Sequence, residues 1–132
     1  MPKIPVEKMK TSHIKKKIWE MFSKFIRLRD ANDKGYCRCI TCDKVSQWNR
    51  GMDAGHYVHG KHPGTWLNVK NVHAQCVHCN KYNSGMRDKY ALALEAKYGM
   101  GILQEIEKDR NEAKETWTRP MLYEKYKELK GI

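Results

Sequence analysis

Two pairs of cysteines, Cys39-Ile-Thr-Cys42 and Cys76-Val-His-Cys79, constrain this chain more than any other feature. A Cys-x-x-Cys turn presents two sulfurs on one side, and two such turns complete a tetrahedron of thiolates around Zn²⁺. The spacing therefore predicts a structural zinc on Cys39, Cys42, Cys76 and Cys79. Four sulfurs leave no open coordination position, so this metal is expected to hold the fold and to do no chemistry. It substitutes for core, because the stretch between the pairs has few apolar residues to bury. The fifth cysteine, Cys37, could replace Cys39 as the partner of Cys42. Cys37-x-Cys39 is too tight for the usual knuckle, which favours Cys39 as the ligand and Cys37 as a packed thiol. An odd count in tight pairs, in a chain with no apolar leader, suits metal binding better than disulfides.

The remaining patterns arrange themselves around that centre. Residues 1–10 read as a loose basic arm with Pro2 and Pro5. A helix is expected from Thr11 or Ser12, because Ile14, Ile18, Met21, Phe22 and Phe25 form one apolar stripe at helical spacing. Asp30 to Gly35 ends it. Between 36 and 85 there is no long helical period. Met52 to Val58 and Thr65 to Val69 read as short strands, Gln47 to Gly51 as a turn, and Val77 to Lys81 as a short helix interrupted at Ser84-Gly85. Helices are predicted over Arg87 to Tyr98, from Ile102 to about Lys114, and after Thr118, which caps the last one with Pro120 in its first turn. The predicted fold is α+β and mainly helical. A basic N-terminal arm and helix (1–35) and a C-terminal helical extension (100–132) flank a small zinc-bound core (36–99).

Charge narrows the partner. Twenty-six Lys and Arg against fifteen Asp and Glu give a formal net charge of +11. Four thiolates on one Zn²⁺ would leave it at about +9. The excess is uneven: residues 1–34 carry ten basic and four acidic side chains, residues 35–85 six and two, and residues 86–132 ten and nine. A polyanion is the expected partner, nucleic acid before a membrane surface. Mean hydropathy is −0.83, and no apolar run approaches the ~20 residues of a membrane span. The chain therefore reads as soluble and cytoplasmic, with no membrane partner.

Thirty-three residues separate Cys42 from Cys76, more than a simple zinc ribbon needs. This insert holds Asp53, His56, His59, His62, Asn71 and His73. Cleaving a phosphodiester requires a base for water, a cation for developing charge, and a group that orients the base. His56, at the end of a predicted strand, suits the base. Asn71 could fix its ring by a hydrogen bond. Asn80, directly after Cys79, could offer an amide oxygen to Mg²⁺, which prefers such ligands. A zinc deaminase is excluded, because neither H-x-E nor P-C-x-x-C occurs.

A zinc-knuckled GH motif, then an Asn, then C-x2-C-N, resembles the HNH (ββα-metal) nucleases. The set CITC, DAGHY, HP, NVHAQC and CNKYNSG, over roughly residues 36–99, resembles more closely the phage NinG (Rap) recombination endonuclease family. WTRPMLYEKYKELK is a fainter echo near the C-terminus. The resemblance implies a ββα-metal site with His56 as base, Asn71 as orienter and Asn80 as ligand of a catalytic Mg²⁺ or Mn²⁺. It implies a DNA endonuclease for branched intermediates such as D-loops and Holliday junctions, in a host bacterial cytoplasm if phage-encoded. One position departs from the pattern. Many HNH nucleases carry a metal ligand immediately before the base, where this chain has Gly55. Asp53 is the expected substitute, on the same strand face about 7 Å back, reached through a bulge at Gly55. His73 or Asn83 are the alternatives.

Lys15, Lys16, Lys61, Lys70, Lys81 and Arg87 are the expected phosphate contacts. A homodimer is expected through the apolar face of Leu122, Tyr126 and Leu129. The competing function is a zinc-stabilised DNA-binding module without catalysis, which would leave the inserted histidines idle.

Overall fold

A computed structural model describes residues 5–131, so the first four residues of the basic arm and the terminal Ile132 lie outside it. After one 3-10 turn at Val6–Lys8 comes the long helix α1 (Thr11–Arg29). It buries Ile14, Ile18, Phe22 and Ile26, one residue every four positions. Met21 and Phe25 of the predicted stripe flank that seam, half-buried. Asp30, just past its end, ties it to the rest of the chain. The Ala74 amide donates to Asp30 Oδ2 at 2.8 Å, and Arg29 pairs with Asp30 at 2.8 Å while donating to the carbonyls of Val69 and Val72.

Two antiparallel strand pairs follow. The first, β1 (Tyr36–Arg38) with β2 (Val45–Gln47), was not foreseen from the sequence. Its connecting loop carries Cys39 and Cys42. The second joins β3 (Met52–His56) to β4 (Val72–Cys76) in unbroken register from Met52↔Cys76 to His56↔Val72. There is thus no bulge at Gly55. Gly55 has a different reason to be glycine: a Cβ there would lie 2.9 Å from Cβ of Gln75 on the paired strand.

The predicted strand at Thr65 to Val69 is instead a series of turns, with the Thr65 and Trp66 amides donating to the His62 carbonyl. Its apolar residues are buried by tertiary packing, Trp66 against Trp19 and Trp117, and not by a ladder. The true partner strand hid behind its polar residues. All five residues of β4 are buried, because both faces are covered. Val72 and Ala54 pack on Phe22 and Ile26 of α1, while His73 on the other face meets Tyr90.

From β4 the chain enters a single π-helical turn (His78–Tyr82). Ser84, Gly85 and Met86, all with positive φ, then reverse it into α2 (Arg87–Tyr98), which stops at Gly99 as its sequence implies. α3 (Ile102–Glu112) and α4 (Arg119–Lys130) complete the fold. Thr118 caps α4, its hydroxyl accepting from the Met121 amide at 3.4 Å. Leu122 is fully buried against α1, with Tyr126 and Leu129 packed beside it. The face expected to join two copies is therefore used within one chain. No described helix is long and apolar enough to cross a membrane.

Candidate functional site

Cys39, Cys42, Cys76 and Cys79 converge with all four sulfurs within 4.8 Å of one another. Cys42 Sγ and Cys76 Sγ are 3.7 Å apart, far beyond a disulfide bond and close to the ~3.8 Å edge of a tetrahedron with Zn–S bonds of about 2.3 Å. The local fold explains the convergence. The β1–β2 loop delivers the first pair, the end of β4 delivers Cys76, and the π turn delivers Cys79. Burial and the neighbouring thiols push Cys42 up to about 12, whereas hydrogen bonds from Thr41 and nearby amides outweigh burial and bring Cys39 to about 7. Four sulfurs this close cannot all ionise without a positive charge between them. Zn²⁺ supplies that charge, so the donor set fits it. Cys37 stands apart: it is fully buried and its thiol donates to the Arg27 carbonyl at 3.1 Å, the packed role expected of it.

A second centre lies beside β3. Asp53 and His56 leave this strand on opposite faces, yet both border one open cleft of about 570 Å³. The π turn adds Asn80 and Lys81, α1 adds Lys15, Lys16 and Trp19, and the loop before β4 adds Lys61 and Trp66. Asn80 Nδ2 donates to Asp53 Oδ2 at 3.0 Å, which leaves the amide oxygen Oδ1 unspent by that contact. Lys81 Nζ stands 3.9 Å from the same carboxylate. The Asn80 amide nitrogen and the Lys81 ammonium thus both face the Asp53 carboxylate.

His56 is held by groups that the sequence did not point to. Its Nε2 lies 2.9 Å from the Trp66 carbonyl, an acceptor, so Nε2 carries the proton and Nδ1 is the free basic nitrogen. Its ring stacks on Trp19, centroids 4.9 Å apart and planes 23° apart. Burial holds the imidazole below its usual pKa, with the Trp66 carbonyl opposing and His59 adding to the shift.

The expected hydrogen bond from Asn71 to the His56 ring is not made. Asn71 is fully buried and clamps the β3–β4 connection. Its Oδ1 accepts from the Val58 amide at 2.8 Å, and its Nδ2 donates to the carbonyls of Val58 and Thr65, both at 3.0 Å. These bonds close the loop that presents Trp66. Asn71→Ala is therefore expected to lower the stability of the zinc-loaded protein by about 3 kcal/mol, since buried backbone groups lose their partners. Urea unfolding measures this. An unchanged midpoint with a selective loss of activity would return Asn71 to a role at the ring.

The same loop is fastened from outside. Gly64 rests on α3, where a Cβ would lie 2.6 Å from the Arg110 Cα. Asn68 donates to Asp109 Oδ2 at 2.9 Å, and Lys70 pairs with Asp109 at 2.7 Å and Glu105 at 3.4 Å. Lys70 is thus a latch between loop and helix and not a cleft cation. Arg87 is also elsewhere, 5.3 Å over the Tyr57 ring in a separate cleft with Arg110. Neither alternative ligand joins Asp53. His73 is buried on the far face of β4, Nε2 2.6 Å from the Tyr98 hydroxyl and Nδ1 3.3 Å from that of Tyr90. Asn83 is exposed at the end of the π turn, outside the cleft. Trp19 was the residue missed; Trp66 is buried in the core and meets His56 through its backbone carbonyl. The only sequence signal was the spacing of Ser12, Lys15, Trp19 and Ser23, which places them together on α1.

The family model described as Bacteriophage Lambda NinG protein matches residues 3–131. The chain belongs to the NinG family. It is 36% identical over 97 residues to protein ninG of Escherichia phage lambda, covering 71% of this chain and 43% of that one. The counterparts in Salmonella phage P22 and Escherichia phage 933W are each 35% identical over the same length. The chain therefore spans less than half the length of the curated NinG proteins it matches. The family match takes in α1 and α4, well beyond the residues whose motifs carry the resemblance. No solved structure matches the chain.

Proposed function

We propose that this NinG chain is a metal-dependent DNA endonuclease of the HNH (ββα-metal) kind, hydrolysing phosphodiesters in branched recombination intermediates such as D-loops and Holliday junctions. The observation that carries this reading is the meeting of Asp53, Asn80 and His56 with Lys15, Lys16, Lys61 and Lys81 in one cleft. The order of a strand pair followed by a helical turn bearing Asn80 agrees with it.

Each residue has a task that its geometry suits. The lysines attract and seat the phosphodiester backbone. His56 enters with Nδ1 unprotonated and accepts a proton from the attacking water, while the Trp66 carbonyl stabilises the imidazolium through Nε2–H. Asp53 and Asn80 would hold Mg²⁺ or Mn²⁺, which when bound supplies stabilisation of negative charge on the phosphate and the departing 3′ oxygen. The product would carry a 5′-phosphate.

The test is direct. Labelled four-way junctions, D-loops and linear duplex are incubated with the zinc-loaded chain, with and without added Mg²⁺. Cleavage of the branched DNA only with Mg²⁺ is expected. Omitting Mg²⁺ is preferable to chelation, which would also attack the four-cysteine site. Binding without cleavage under every condition would favour the non-catalytic DNA-binding module instead.

A further inference from the structure

We propose that Trp19 is a positioning residue for His56, so that α1 completes the catalytic centre from outside the zinc-bound core. This rests on the reading of His56 as the base. Two contacts fix the imidazole. The Trp66 carbonyl holds Nε2 at 2.9 Å, which sets the tautomer, and Trp19 covers one ring face at 4.9 Å. A single hydrogen bond would still let the ring swing about that bond. A flat surface at 23° to the ring removes this freedom and leaves Nδ1 with one direction, in a side chain that lines the cleft.

Trp19 can act as such a wall because it is itself fixed. It follows the buried Ile18 on α1, packs on Phe22 with centroids 6.0 Å apart, and stacks on Trp66 at 6.1 Å and 20°. Trp19 and Trp66 thus bracket the imidazole, one by its ring and the other by its carbonyl. The stack also excludes water from the face it covers, which disfavours the imidazolium. The charged and titratable groups around His56 include Lys15 and Lys16 on α1, Asp53 on its own strand, His59 and Lys61 on the loop, and Lys81 on the π turn. The variants change none of these charges, so a shift on substitution of Trp19 reports the lost ring.

The experiment uses the full zinc-loaded chain as wild type, Trp19→Phe, Trp19→Leu and Trp19→Met. The last keeps apolar bulk without a ring face. The His56 ring is titrated by NMR, its resonance assigned by its absence in His56→Gln, and cleavage of a four-way junction is followed against pH. The two non-aromatic variants are expected to raise the His56 midpoint toward its ordinary value. They should also cut cleavage near neutral pH about tenfold and move the acid limb of the profile up with the midpoint. Trp19→Phe should restore most of both. A His56 midpoint unmoved in a folded non-aromatic variant would overturn the proposal. If the wild type cleaves no DNA, the nuclease reading fails, while the NMR midpoints still decide whether Trp19 holds His56.

Discussion

Removing zinc is expected to unfold the middle of this chain cooperatively. The β1–β2 loop, the end of β4 and the π turn converge on the four sulfurs, and the apolar cluster there is small: Cys37, Met52 and Ala74 beside the ligands themselves. Structural zinc contributes about 10–16 kcal/mol in small sites of this type. That is comparable to the entire stability of a typical domain, about 5–15 kcal/mol. Chelation followed by circular dichroism should show a single transition, reversed by one equivalent of Zn²⁺. Cys79→Ser should lose zinc and fold poorly. Cys37→Ser should retain one zinc per chain, because the Cys37 thiol donates to the Arg27 carbonyl and is not one of the four grouped sulfurs. A native spectrum in the metal-free protein would refute the structural role.

Replacing His56 by alanine is expected to reduce junction cleavage by about 10²–10⁴-fold, the range ascribed to a positioned general base. DNA affinity should change little, since the cleft lysines remain. In the wild type, cleavage should rise with pH as His56 loses its proton and then level off. Burial holds this imidazole below the ordinary value of about 6.5, so the rising limb belongs below that pH. Equal cleavage by wild type and His56→Ala would remove His56 from the mechanism.

What the sequence disclosed follows from how local each signal is. The zinc pairs are legible because each knuckle is a short-range geometry, and Cys37 could be set aside on spacing alone. α1, α2 and the Thr118 cap are legible because periodicity and capping act within one element. The strand pair was half legible. Thr65 to Val69 looks like a strand because β-branched and aromatic residues suit any buried, extended surface, and here Trp66 satisfies that preference in a loop against α1. β4 was missed because His73 was weighed as a metal ligand and Cys76 as half of a zinc pair, and Gln75 carried no signal of its own. His73 and Gln75 are both buried against partners distant in the chain: Tyr90 and Tyr98 meet the His73 ring, and Gln75 Nε2 donates to Thr41 and the Gly85 carbonyl, while its Oε1 has no partner among the described residues. The same limit applies at the cleft. His56 and Asn80 could be nominated by chemistry and Asp53 by the resemblance, whereas the holders of His56, a carbonyl at Trp66 and a ring at Trp19, become evident only when α1 lies across the sheet.

The proposed mechanism requires Asp53 and Asn80 to hold a cation beside His56. Crystals of the zinc-loaded protein soaked in Mn²⁺ test it most directly through anomalous scattering. One manganese within about 2.2 Å of an Asp53 carboxylate oxygen and of Asn80 Oδ1, with waters filling its remaining positions, is the expected result. Manganese bound elsewhere, or no manganese in the cleft at saturating concentration, would contradict the account.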